Sequence, residues 1–328
     1  MQDFNYSAAP DVAAAISAAA HGKSRLIAGG TNLVDLMKLD VETPDDVIDI
    51  NRLPFAAIEE TVDGGVRIGA MARNSTVAQH PLIVERYPIL SEALLSGASA
   101  QLRNMATVGG NLMQRTRCTY FRDIHQACNK RTLASGCGAA DGFHRMHAIL
   151  GTSEHCFATH PSDMSVALTV LDAMIEVRGN AGVRQIPISE FYALPGDTPH
   201  IENVLGKDEI ITAVDLPALS GAYQSRYRKV RDRESYEFAL VSVAAMLALA
   251  GNNVATIRLG FGGVATKPWR ATEAEQMLTG ARPGLDVFRA AADVSLKDAM
   301  PRRDNRFKVE LLKRTLVRTL AELSGVTQ

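Results

Sequence analysis

The chain has 328 residues, 46 % of them hydrophobic, with 35 basic and 36 acidic side chains for a formal net charge of −1. That is enough apolar material for a sizeable core divided over about two or three domains, and the balanced charge excludes broad attraction to nucleic acid or to an anionic membrane surface. No stretch approaches the ~18 apolar residues of a membrane span, and the first residues lack the basic-then-apolar pattern of a signal peptide, so neither is expected in this sequence.

Phe4 and Tyr6 open a short strand, and Pro10 and Asp11 start a helix with Val12, Ile16 and Ala19 on one face, closed by Gly22. Residues 25–28 read as a strand, residues 33–39 as a helix and residues 46–50 as another strand, which makes a small α/β unit. Val66, Ile68 and Ala70 alternate as in a hairpin, and residues 76–95 read as helical. The stretch 112–155 has little periodicity and holds four of the eight histidines and three of the four cysteines. So long an irregular segment in a compact domain needs a ligand or a function to order it. Regular patterning resumes at 147–151. Pro161-Ser162-Asp163 then caps a helix bearing Ala167, Val170, Leu171 and Met174 on one side, residues 208–217 close the region, and a boundary is expected near Leu219. Strands are expected over 223–230 and 255–264, a helical stretch over 235–250, and two C-terminal helices, the last over 307–323 with Leu312, Leu316, Leu320 and Leu323 on one stripe.

Two glycine turns carry the first chemical signal. Ala28-Gly29-Gly30-Thr31-Asn32-Leu33 joins a strand to a helix, where backbone N–H groups converge and a Cβ would hold a phosphate away. Thr107-Val108-Gly109-Gly110-Asn111 is the second. Neither turn ends in the Gly-Lys-Ser/Thr of a nucleotide-hydrolysing loop, and neither is the G-x-G-x-x-G dinucleotide fingerprint. Residues 260–265 satisfy that fingerprint formally, but Pro268 follows where a helix must continue, so they read as a glycine-containing strand. Asp163 reads equally as a helix cap or as a polar ligand, and Lys229, flanked by Arg228 and Arg231, as a ligand or a solvated strand edge.

The second signal is the clustering of Cys118, Cys128, Cys137 and Cys156, spaced x9, x8 and x18. Four cysteines are too few for a disulfide scaffold in a chain this long, and the C-x2-C pairs of zinc ribbons and bacterial ferredoxins are missing. Four thiolates suit tetrahedral zinc or an iron–sulfur cluster, and two disulfides or buried free thiols are the remaining readings. Arg115, Arg117, Arg122, Lys130, Arg131 and Arg145 stand ready to offset the negative charge of a cluster. His125, His144, His147, His155 and His160 are not assigned as ligands.

The two glycine loops, the later Pro-Ser-Asp cap and their order resemble the FAD-binding medium subunits of the xanthine dehydrogenase and carbon monoxide dehydrogenase family, over nearly the whole chain, including Lys229-Val230-Arg231 and residues 261–265. The fold this implies is α+β. Residues 1–218 would form a two-part FAD-binding domain of the vanillyl-alcohol-oxidase and molybdenum hydroxylase type, with subdomains 1–55 and 56–218. Residues 219–328 would form a C-terminal α+β domain of the CO dehydrogenase flavoprotein type, with a small antiparallel sheet and helices. The resemblance gives FAD contacts to Ala28, Gly29, Gly30, Thr31, Asn32 and Leu33, to Thr107, Gly109, Gly110 and Asn111, to Asp163 at the sugar-like part of FAD, and to Ile211 and Lys229 near the flavin.

Residues 115–123, 128–131, 136–137 and 156–163 are similar to the flavoprotein subunits of bacterial periplasmic aldehyde oxidoreductases, apart from Thr119 where proline is expected. That likeness implies a [4Fe–4S] cluster held by Cys118, Cys128, Cys137 and Cys156 in an insert at about 112–156. It also implies a molybdenum-cofactor subunit that oxidises an aldehyde, a [2Fe–2S] subunit that passes electrons to FAD, and an external acceptor, with no general acid or base on this chain. Tyr236 is a candidate cover for the flavin. Export with a signal-bearing partner and residence in the cytoplasm are both compatible with the missing leader. The rival readings are a stand-alone FAD oxidoreductase with its own substrate pocket and a zinc-stabilised interaction module.

Overall fold

The computed structural model describes residues 1–327. The chain begins with β1 (Asn5–Ala8), α1 (Val12–Ala20), β2 (Ser24–Ile27), α2 (Leu33–Lys38) and β3 (Asp46–Asp49). The strands form a parallel sheet in the order β1-β3-β2. Parallel pairing demands crossovers, which the two helices supply. Asp11 starts α1 by accepting from the Ala14 N–H at 2.8 Å, and Ala15 and Ile16 on its inner face pack with Ile48, Leu53 and Ile210.

A second layer follows: β4 (Ile58–Glu60), β5 (Val66–Gly69), α3 (Asn74–Gln79), α4 (Pro81–Arg86), α5 (Pro88–Ser96), α6 (Ala100–Met105) and α7 (Val108–Leu112). The single helical stretch expected over 76–95 is three helices. Pro81 and Pro88 each occupy a first-turn position, because a proline cannot donate to the preceding turn and is tolerated only where the N–H is unpaired anyway. After α7 the chain is irregular for some fifty residues apart from α8 (Thr119–Arg122); the patterning expected at 147–151 is not a strand but a loop that bridges Leu150 to Ala265. Then come α9 (Asp163–Val170), β6 (Met174–Gly179), β7 (Gly182–Pro187), α10 (Ile188–Phe191) and β8 (Glu209–Leu216), completing a five-stranded antiparallel sheet in the order β4-β5-β8-β6-β7.

The C-terminal layer holds β9 (Gln224–Val230), β10 (Val241–Ala250), β11 (Asn253–Gly262), β12 (Trp269–Arg270), α11 (Thr272–Leu278), α12 (Leu285–Ser295) and α13 (Phe307–Ser324). Its antiparallel sheet runs β12-β11-β10-β9. Most of residues 235–250, expected to be helical, form the central strand β10. From Val241 to Leu247 the run is apolar apart from Ser242 because both its faces are buried there: Val241, Val243, Ala245 and Leu247 belong to the core beneath α11–α13, while Ala244 and Met246 belong to the core shared with α5 and α9. A strand covered on both sides loses the alternation that marks a half-buried one. Three C-terminal helices stand where two were expected, since α11 is only seven residues long. In α13 the expected stripe Leu312, Leu316, Leu320 and Leu323 is buried. Gly260 and Gly262 let α9 lie directly on β11: a Cβ at either would come within 2.8 and 2.7 Å of Val170 and Val166.

Lys308, on the inner face of α13, has 0 % of its surface exposed, and its Nζ donates to the Gly263 carbonyl at 2.6 Å. Burial, reinforced by the nearby Arg145 guanidinium, pushes its pKa down to about 7. From there up to the ordinary value of 10.5 the unfolded chain holds a proton that the native chain has released, so native stability rises with pH through that window. Unfolding titrations should therefore show the wild type gaining stability relative to Lys308→Met between those limits, by a few kcal/mol in order of magnitude. A constant difference across the window would mean that Lys308 titrates normally in the native state.

Candidate functional site

The first glycine loop, residues 28–33, links β2 to α2. Gly30 has φ +71°, a left-handed conformation that suits glycine. Gly29 is constrained from the protein side as well: a Cβ there would lie 1.9 Å from the Met105 carbonyl oxygen at the end of α6. In the second loop, Thr107 Oγ1 accepts from the Gly110 N–H at 3.1 Å, and the Gly109 N–H donates to the Ala70 carbonyl at 2.8 Å. Asn51 joins the two loops. Its amide donates to Ala28 O at 2.8 Å and its Oδ1 accepts from Arg73, whose guanidinium also reaches Met105 O.

A cavity of about 450 Å³ opens beside the loops. Thr31, Asn32, Gly110, Asn111, Asp163 and Lys229 line it, together with Asn74, Arg103, Gln114, Arg117, Tyr236 and Phe238, which sequence reasoning did not assign to the cofactor apart from Tyr236. Ala28, Gly29, Gly30, Leu33, Thr107 and Gly109 form the loops behind this wall. Ile211 does not line the cavity; it sits on β8 in the core of the second layer, 9 % exposed.

Asp163 and Lys229 are brought together from residues 66 positions apart: Nζ donates to Oδ2 at 2.8 Å, with the two side chains 10 % and 3 % exposed. Lys229 also donates to Ser96 O at 3.1 Å. The Tyr227 hydroxyl donates to Asp163 Oδ1 at 2.6 Å. Burial first, and then the Asp163 charge, raise the Tyr227 pKa well above its ordinary value, which keeps it a donor. The cap of α9 is Ser162, accepting from the Ser165 N–H at 3.0 Å. Asp163 is thus free of capping, and Lys229 is not a solvated edge. Ser162 Oγ also donates to Asn111 Oδ1 at 2.7 Å, fastening the second loop to α9.

Asn32 Nδ2 and Asn74 Oδ1 are buried with no hydrogen-bond partner in the protein. Both residues line the cavity. An orphaned buried donor and acceptor are costly unless a ligand completes them. A phosphate oxygen would satisfy Asn32 and a hydroxyl or amino group Asn74, so the residues present fit a polar dinucleotide such as FAD. At the rim, Tyr236 is 54 % exposed, has φ +55°, and stacks under the Arg233 guanidinium at 5.4 Å.

The four cysteines are free thiols, and all four line one small cavity with His147, Phe121 and Phe157. Cys128 and Cys137 pair as an isolated antiparallel bridge. Burial pushes the Cys118 thiol up to about 12 and raises Cys137 and Cys156 too, while backbone N–H groups of Tyr120, Phe121, Ala139, Ala140 and Ala158 work in the opposite direction. These N–H groups would stabilise thiolates once a metal had displaced the protons. His147 Nε2 lies 3.2 Å from Cys118 Sγ, and burial, then His144, lower its pKa to about 4. Among the described residues no three His, Cys, Asp or Glu side chains converge closely enough to hold a single metal ion. The basic residues of the insert are largely engaged elsewhere. Arg115 bridges Glu42 and Glu202, Arg117 and Arg122 share Asp35, Arg145 holds Asp232, and Arg131 caps backbone carbonyls. Lys130, though paired to Glu202 at 2.8 Å, is the cation that favours the Cys156 thiolate.

Two families match in tandem: the FAD binding domain in molybdopterin dehydrogenase over residues 2–219, and the CO dehydrogenase flavoprotein C-terminal domain over residues 225–323. The aldehyde oxidoreductase FAD-binding subunit PaoB of Escherichia coli is 51 % identical over 94 % of both chains. The glyceraldehyde dehydrogenase medium chain of Sulfolobus acidocaldarius is 28 % identical over 92 % of this chain and 91 % of that one. Among solved structures, a carbon monoxide dehydrogenase chain from Hydrogenophaga pseudoflava superposes with a TM-score of 0.78 at 24 % identity, covering 100 % of this chain and 99 % of the other, a likeness of fold. With both matches spanning nearly its whole length, the chain belongs to the FAD-binding medium subunits of the xanthine dehydrogenase and molybdenum hydroxylase family.

Proposed function

We propose that this chain is the FAD- and [4Fe–4S]-carrying electron-transfer subunit of a molybdenum-dependent aldehyde oxidoreductase. The aldehyde class rests on the 51 % identity to a subunit named for that activity. The cluster rests on one observation: four free cysteines, Cys128 and Cys156 buried and Cys118 and Cys137 half-buried, line a single cavity although among the described residues no three metal-binding side chains converge on one point. Tetrahedral zinc needs its sulfurs at ~2.3 Å from a common centre, whereas a cubane several atoms across keeps its thiolates apart. Bound FAD would supply the exchange of electrons between a [2Fe–2S] partner subunit and an external acceptor.

The chain's own residues bind and orient. Asn32, Gly110 and Asn111 would hold the pyrophosphate, and Asp163 would offer its remaining lone pairs to hydroxyls while Lys229 and Tyr227 fix its carboxylate. No side chain is needed as a general acid or base. Iron, sulfide and flavin analysis of the purified complex tests this reading, with about four iron and four sulfide per flavin expected beyond those of the [2Fe–2S] partner. A colourless, zinc-containing and flavin-free chain would overturn it, and turnover of a small substrate by the chain alone would favour an independent oxidoreductase.

Tyr236, exposed at the cavity rim, would cover the flavin and restrict access by a nicotinamide acceptor. Tyr236→Ala should weaken FAD binding about 2- to 10-fold, the worth of one aromatic stacking contact, shift the flavin absorption bands and change acceptor preference. An unaltered spectrum and acceptor profile would remove Tyr236 from the site.

A further inference from the structure

The cysteine insert and the first glycine loop are joined by two kinds of contact. The backbone N–H of Arg115 donates to Asn32 Oδ1 at 3.0 Å across 83 residues of sequence. A carboxamide whose oxygen is held in this way must turn its NH₂ to the other side, and that NH₂ is the buried, unpartnered group at the cavity wall. Beneath the loop, α2 rests on the insert: Leu36, 1 % exposed, packs with Phe121, 1 % exposed, and Cys128, with Val41 and Cys118 against them. Arg117 and Arg122 add ion pairs to Asp35 on α2, each at 2.9 Å.

We infer that the insert is a positioning platform for the flavin loop: Arg115 and Phe121 hold Asn32 and α2 in the geometry that meets the pyrophosphate, so that filling the cysteine site and binding FAD reinforce each other. The mutual reinforcement rests on the cluster reading above; the positioning by Arg115 and Phe121 does not. An insert with one four-residue helix has little regular structure of its own to keep Phe121 and Cys128 under Leu36, and ligation of Cys118 and Cys128 would tie both flanks of that contact. When the ligand is gone, ordering α2 falls to FAD binding, which weakens it. Linkage requires the converse: FAD must hold the ligand in place by the same factor.

The experiment uses the intact complex and reads binding rather than turnover. Deflavinated wild type, with and without added FAD, is exposed to an iron chelator while release of the iron absent from Cys128→Ser is followed, and FAD affinity is measured for wild type, Cys128→Ser and Phe121→Ala. Iron release should be slower with FAD bound. FAD affinity should fall roughly 5- to 150-fold in Cys128→Ser, the usual range of coupling between sites. Phe121→Ala should keep its iron and still bind FAD more weakly. If Phe121→Ala or Cys128→Ser fails to fold, the wild-type chelation comparison decides. Iron release indifferent to FAD, together with variant affinities within about twofold of wild type, overturns the inference. Wild type with no iron beyond that of the [2Fe–2S] partner would sink the cluster reading instead, and Phe121→Ala would then decide the positioning alone.

Discussion

Lys229→Met should lower the unfolding free energy by roughly 3–5 kcal/mol, the cost of leaving a buried carboxylate without its counter-charge. Asp163 is 10 % exposed and Lys229 3 %, so water cannot replace the lost ammonium, and Tyr227 supplies a hydrogen bond but no charge. Adding Asp163→Asn to that variant removes the stranded charge and should recover most of the loss, because the two residues are in direct contact and their effects cannot add. Thermal or denaturant unfolding of the four forms checks this. A Lys229→Met variant within about 1 kcal/mol of wild type would show that the pair behaves like an exposed one. FAD content should fall in the single variants too, since both side chains line the cavity.

Gly29→Ala should release FAD. The new Cβ would meet the Met105 carbonyl oxygen at 1.9 Å and its carbon at 2.6 Å. Backbone cannot swing aside as a side-chain tip can, so the two glycine loops must part. Overpacking of this kind costs about 1–3 kcal/mol, which corresponds to roughly 5- to 150-fold in FAD affinity. Gly251→Ala is the control: it has φ +59° with nothing within 4 Å of the added Cβ, so it strains a surface turn and should leave flavin affinity unchanged. Equal FAD content in Gly29→Ala and wild type would mean that the loops tolerate separation.

Local signals in the sequence located the elements that build the site. The strand–glycine–helix turn at residues 24–38, the Ser162 cap and the leucine stripe of α13 all depend on neighbours within a few positions, and each is where the sequence predicts it. What local sequence could not reveal depends on distant partners. β10 reads as a helix because its second covering layer comes from helices before and after it in the chain. The pairing of Asp163 with Lys229 and the grip of Arg115 on Asn32 span 66 and 83 residues, and no periodicity encodes them. The insert's arginines, expected beside the cysteines, are drawn instead to Asp35, Glu42, Glu202 and Asp232, which are scattered through the chain. A buried guanidinium takes the nearest carboxylate, whatever its sequence neighbourhood.

The strand that faces two cores has a consequence for exchanging one half of the chain. Ala244 and Met246 complete the interior of the layer that precedes them, and Lys229 neutralises a carboxylate of that same layer. A half-chain transplanted after residue 219 would have to bring side chains of matching size to the first two positions and a cation to the third. The two halves are thus physically coupled, so that a change at residue 163 or 229, or along the inner face of β10, is felt in the other half.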